Sequence, residues 1–133
     1  MSKAKILVQL DTDQQPSLFD SIVALDAGVE NLLRYQSVNP HNVTELVHGA
    51  IFTRGPDDLW RTAIFLGGSD VRVAESVLAQ IRETFFGPLR VSVMIDPAGA
   101  NTTAAAAVLA AIKHVPLENA TAMVLGATGP VGH

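Results

Sequence analysis

Ala63-Ile64-Phe65-Leu66-Gly67-Gly68-Ser69-Asp70 is the stretch on which the fold turns. Four apolar residues, too short a run for a helix, meet two glycines and then two residues able to cap a helix. The pattern predicts a buried strand, a tight turn and a helix over 70–85. Working outward, the same format recurs. Apolar runs at 6–10, 91–95 and 122–125 precede Asp11-Thr12-Asp13, Asp96-Pro97-Ala98-Gly99-Ala100-Asn101 and the glycine-rich stretch 126–132. Further helices are expected near 16–27 and 101–114. Pro16 suits the first turn of one, Asn101 caps the other, and Gly87-Pro88 and Pro116 act as stops. Between them, 31–38 reads as a short strand and 43–49 as a helix.

Strands alternating with helices imply an α/β fold, a three-layer sandwich whose sheet is mainly parallel and covered on both faces. Four of its strands are expected at the runs just named. Ligands of such sheets bind beyond the carboxyl ends of the strands, so all four polar turns are expected on one edge.

Composition narrows the function. The chain has 133 residues, 48% of them hydrophobic, enough for one core, and a net charge of -4 with nine Lys and Arg scattered singly. That offers no footprint for nucleic acid. The apolar stretch 104–112 is far short of the roughly 20 residues that span a membrane, and the start lacks a signal peptide's apolar stretch, so a cytoplasmic protein is expected. Zero cysteines exclude thiol chemistry, and four dispersed histidines (41, 48, 114 and 133) show no ligand spacing, so no metal is expected.

The sharpest motif is Gly126-Ala127-Thr128-Gly129-Pro130-Val131-Gly132 after an apolar run. Glycines there let the backbone approach a pyrophosphate, which makes Gly126, Thr128, Gly129, Pro130, Val131 and Gly132 candidate NADP or NAD contacts. Ala127 stands where the strict fingerprint has glycine. The chain ends one residue later, before the helix and the ribose-reading residue of such a site, so cofactor binding by this chain alone is expected to be poor.

The other turns carry two readings each. Asp11, Asp13 and Asp20 either cap their loop and helix or accept hydrogen bonds from an amidine-like edge such as a pterin's, with Phe19 as core residue or stacking face. Taken by pattern alone, capping is favoured. Gly67-Gly68-Ser69-Asp70 either closes a connection or approaches a ligand, and Arg54 is a candidate partner for an anion or an idle loop residue. Asn101, Thr102 and Thr103 either begin a packed helix or face a cleft. Trp60 and Tyr35 read as packing residues.

Together the turns resemble a known family. Leu10-Asp11-Thr12-Asp13, Pro16-Ser17-Leu18-Phe19-Asp20, Phe52-Thr53-Arg54-Gly55, the segment 62–70, Phe85-Phe86-Gly87-Pro88, Asn101-Thr102-Thr103-Ala104-Ala105-Ala106 and Thr128-Gly129-Pro130-Val131-Gly132 match in order the methylene-tetrahydromethanopterin dehydrogenases of methylotrophic and related bacteria. The resemblance implies a pterin-binding domain over 1–101. An interdomain helix and the truncated start of a Rossmann-like NADP domain are implied over 102–133, with residues beyond this chain completing both. It further implies hydride transfer from methylene-tetrahydromethanopterin, or methylene-tetrahydrofolate, to the nicotinamide of NADP, with the cation stabilised by the substrate's own nitrogens. No side-chain acid or base is then required, and catalysis rests on positioning and exclusion of water. The lysines are Lys3, Lys5 and Lys113, and no Tyr-x-x-x-Lys pair occurs, which separates the chain from folate enzymes that add a cyclohydrolase step. Substrate contacts are expected from Asp20, Phe19, Asp11, Asp13, Gly67, Gly68, Asp70, Asn101, Thr102 and Thr103, with Asp20 first. Two alternatives stand beside this: a non-catalytic α/β binding module complete at 133 residues, and a short-chain reductase with another substrate. Apolar surface left open is expected to favour homo-oligomers.

Overall fold

A computed structural model describes residues 3–132; Met1, Ser2 and His133, with the readings that touch them, lie outside it. The sheet has four strands, β1 (Ile6–Asp11), β2 (Asn31–Tyr35), β3 (Thr62–Gly67) and β4 (Ser92–Ile95), in the order β2-β1-β3-β4. All three pairings are parallel, with Val8 opposite Leu33 and Ile64, and Leu66 opposite Ile95. The helices are α1 (Leu18–Asp26), α2 (Val43–Phe52), α3 (Val71–Thr84) and α4 (Ala100–Ala111), with a 3-10 turn at Pro56–Arg61.

The side chains of β1 alternate between two kinds of surroundings. Val8 and Leu10, with Ile64 and Leu66 of β3, join Val43, Val47, Ile51, Ala74, Val77 and Ile81 in one core, which places α2 and α3 on that face. Each large aliphatic side chain so buried contributes about 1.5–3 kcal/mol. On the opposite face α1 meets the sheet through polar groups. Ser21, its one buried residue, shares its hydroxyl proton between Gln9 Oε1 at 2.7 Å and Ser17 O at 2.8 Å. Leu18, Phe19, Ile22, Val23 and Leu25 of α1 are left exposed.

The chain order reverses between β1 and β3: α1 leaves β1 toward one face and α3 leaves β3 toward the other. A crevice opens where two such turns part. Hydrogen bonds lace the rims together, from Thr12 N to Gly67 O (3.3 Å), Val38 N to Asp11 O (3.0 Å), Asp96 N to Leu66 O (3.0 Å) and Ala98 N to Gly68 O (2.8 Å).

Several expectations need correction. Residues 122–125, read as a strand, run as irregular chain, with Met123 and Leu125 almost fully exposed. A parallel strand requires a neighbour for its backbone groups, and none among the described residues pairs with this segment. The fourth strand is β2 instead, from the segment 31–38. Pro16 precedes α1, whose cap is Ser17: its hydroxyl accepts from Asp20 N. Gly99, not Asn101, caps α4, and Asn101 spends its side-chain amide on Ile95 O at 2.8 Å. Trp60 and Tyr35 are exposed rather than packed, the Trp60 ring lying 4.2 Å from the Arg61 guanidinium. Among the described residues, no helix is long and apolar enough to cross a membrane and no group of metal-ligating side chains gathers.

Candidate functional site

Three turns converge at the carboxyl edge. Asp11, Asp13, Phe19 and Asp20 from the first, Gly68 and Ser69 from the second, and Asp96, Thr102 and Thr103 from the third line one open cleft of about 540 Å³. Gly67 lies at its base, since a Cβ built there would stand 3.5 Å from Asp20 Oδ2 and 3.7 Å from Asp11 Oδ2. Asp70 and Asn101 are not among the lining residues. Asp70 turns its Oδ1 onto the amides of Arg72 and Val73 as the cap of α3, and lines a neighbouring cleft of about 550 Å³ with Thr128, Gly129 and Pro130. Ser69 borders both clefts. Arg54 is remote from either, donating to Ala4 O (2.9 Å) and Arg61 O (3.4 Å) at the opposite, amino end of the sheet.

The four carboxylates of the first cleft differ in what they already hold. Asp11 is buried and accepts from Asp13 N and Ser17 N, both at 2.9 Å. Asp13 reaches across the crevice to Ser69, accepting from its amide at 3.2 Å and its hydroxyl at 2.9 Å. Asp96 accepts from Thr102 N at 2.9 Å and Thr102 Oγ1 at 2.6 Å. Among the described residues no backbone amide bonds the Asp20 carboxylate, which has the Ser17 hydroxyl beside it. Asp20 is therefore the acceptor left for a ligand, next to the Phe19 ring, which is 76% exposed and so stands as an open stacking surface.

Burial pushes the Asp20 carboxyl above its ordinary 3.8; the Ser17 hydroxyl pulls it down, and the charges of Asp11 and Asp96 raise it again. The folded state thus holds the proton more tightly than the unfolded chain. Stability from this group is fully present below pH 3.8 and is lost as pH rises through the raised value. Asp20→Asn, which cannot ionise, is expected to melt higher than the parent at pH 7, with the gain gone near pH 3. Equal melting temperatures at pH 7 would show that the site imposes no charge penalty on Asp20.

Asp96 is a site residue that motif reasoning passes over. The signal that marks it is positional: like Asp11, it is the aspartate that ends an apolar run and enters a turn.

The glycine-rich stretch folds as two successive turns. Gly129 N donates to Gly126 O at 2.9 Å and Gly132 N to Gly129 O at 3.2 Å, which is what the three-residue spacing produces. The amides of Gly129 and Gly132 are thus taken by carbonyls of the same stretch.

The comparisons with known proteins agree with one another. The family model described as methylene-tetrahydromethanopterin dehydrogenase, N-terminal, matches residues 18–98. The chain is 48% identical over 113 residues, 85% of its length, to the bifunctional protein MdtA of Methylorubrum extorquens. It is 39% identical over 103 residues, 77% of its length, to the NAD(P)-dependent methylenetetrahydromethanopterin dehydrogenase of the same organism. It spans 39% and 35% of the length of these two relatives.

Proposed function

The chain belongs to the methylene-tetrahydromethanopterin dehydrogenase N-terminal family, and from that premise we propose that it is the pterin-binding part of an oxidoreductase of one-carbon metabolism. The whole enzyme transfers a hydride from methylene-tetrahydromethanopterin, or methylene-tetrahydrofolate, to NADP+ or NAD+ and leaves the methenyl form. The observation that carries this reading is the pairing of an uncommitted carboxylate with an open aromatic face, Asp20 beside Phe19, at the switch point of a parallel sheet. A pterin presents the complementary edge: two parallel N–H donors for the carboxylate and a flat ring for the phenyl face. Asp11, Asp13 and Asp96 hold the surrounding turns, and Gly67 and Gly68 keep the base of the cleft free of side chains. Asn101, Thr102 and Thr103 form the start of the wall that leads toward residues 126–132, which belong to the cofactor-binding part. The Thr102 hydroxyl proton is given to Asp96, so toward a ligand its oxygen can only accept.

Nothing in this assignment asks a side chain of the chain to act as acid or base. Its work is to hold the pterin in a fixed plane and keep water from one side of it. The chain alone is expected to bind a reduced pterin and to be inactive as a dehydrogenase. Calorimetric titration of the 133-residue chain tests this. Saturable binding of tetrahydromethanopterin or tetrahydrofolate, lost in Asp20→Ala and accompanied by no measurable NADP+ binding, is the expected outcome. A chain that takes up neither pterin is not the substrate-binding part.

A further inference from the structure

α4 is an oddity of this fold, because it is almost unsupported. From Asn101 to Ala111 every residue except the half-buried Ala104 is exposed, and the helix packs mainly on the turn that precedes it. Its sequence offers no alternative hold. The run is dominated by alanine, and its cap, Gly99, has no side chain to bond the first amides. The turn itself is built from two consecutive residues in the left-handed region, Ala98 at φ 53 and Gly99 at φ 65, a conformation with little intrinsic preference for staying where it is.

We infer that Asp96 is a positioning residue that fixes the direction in which α4 leaves the cleft. One oxygen of its carboxylate takes the Thr102 amide and the other the Thr102 hydroxyl, so both ends of a single carboxylate are closed on one residue of the first helical turn. Two bonds to one residue define an angle as well as a distance, which a single bond does not. Asp96 in turn is pinned to the sheet, its amide to Leu66 O at 3.0 Å, and the left-handed turn is pinned to the second loop by Ala98 N on Gly68 O at 2.8 Å. The path runs from β3 through Asp96 to Thr102 and along α4. Beyond α4 the chain runs on through turns and irregular segments over 112–125 to residues 126–132. The direction of α4 therefore sets where that connection starts relative to Phe19 and Asp20. Its consequence for hydride transfer rests on the function proposed above; the geometry of the clasp does not.

The chain contains no cysteine, so two can be introduced and spin-labelled without interference. Glu83→Cys on α3 and Leu109→Cys on α4, both at exposed positions, report the helix direction as an electron–electron distance distribution. A single narrow distribution is expected for the labelled parent. Asp96→Ala and Thr102→Val are expected to widen it at least twofold with helix content unchanged, and Thr102→Ser, which keeps the hydroxyl, to restore the narrow form. An unchanged width in Thr102→Val, or a widening that Thr102→Ser shares, overturns the assignment. Should Asp96→Ala fail to fold, the Thr102 pair decides alone. Pterin titration of the same samples reports separately: a parent chain that binds no pterin removes the proposed function and leaves the result on α4 standing.

Discussion

Replacing Asp20 by alanine in a dehydrogenase that carries this domain is expected to lower kcat/KM for the pterin roughly 10- to 1000-fold, about 1.4–4 kcal/mol of a charge-assisted hydrogen-bond pair. The size follows from how the cleft distributes its acceptors. Asp11, Asp13 and Asp96 are committed to the amides and hydroxyls of Asp13, Ser17, Ser69 and Thr102, and a ligand must compete with the fold to use them. Of the four cleft carboxylates, Asp20 takes no backbone donor among the described residues, so removing it leaves two pterin N–H groups without a partner in a partly desolvated site. Affinity for NADP+ is expected to stay within about twofold, because the residues proposed for that cofactor border the neighbouring cleft. Asp20→Asn is the informative companion. It keeps the shape but presents one acceptor and one donor, so it loses the paired bond while gaining thermal stability at pH 7. A variant that keeps normal kcat/KM, or loses only cofactor affinity, would remove this loop from the pterin site.

Gly68→Ala is expected to destabilise the domain by about 3 kcal/mol or more, a fall in melting temperature of roughly 10 °C. Gly68 sits at φ +129, where a residue with a Cβ is strained whatever the space. An added Cβ would also overlap Thr12 Oγ1, with Thr12 Cβ at 3.1 Å and Thr12 N at 3.3 Å behind it. Two turns of the cleft meet at this point, so neither can yield without moving the other. Thr12 itself contributes little here, since its hydroxyl is buried and finds no partner among the described residues. Thr12→Ala in the Gly68→Ala background is therefore expected to recover only part of the loss: it clears the hydroxyl but leaves the backbone contact and the φ. A Gly68→Ala chain that melts with the parent would mean that the two turns are not in contact as described.

Residues that act within their own stretch are legible in the chain itself. The runs at 6–10, 63–66 and 91–95 form β1, β3 and β4, because a short apolar run followed by a turn and a periodic helix fits almost nothing but a buried parallel strand. The helices over 70–85 and 43–49 appear as α3 and α2. Asp70, a helix cap by local spacing, is one. Asp20, Phe19, Thr102 and Thr103 come together in one cleft with Asp11 and Asp13, for the topological reason that parallel strands put their following turns on one edge. The run at 122–125 fails by the same logic turned round. It has a strand's composition, but a strand exists only beside another.

How the carboxylates divide between structure and ligand is a matter of tertiary packing. Asp11 satisfies amides two and six residues away, and Asp96 one six residues away, spacings that a sequence permits but does not distinguish from idle loop aspartates. Asp13 is committed to Ser69, 56 residues on, and only because β1 lies directly beside β3. Adjacency of strands that are distant in sequence is set by packing the whole core, not by any local preference. Local pattern and the rule for parallel strands suffice to gather Asp11, Asp13, Asp20 and Phe19 at one sheet edge. Which carboxylate remains free to meet a ligand there depends on donors brought in from across the fold, because a carboxylate is available only when no nearer amide has taken it.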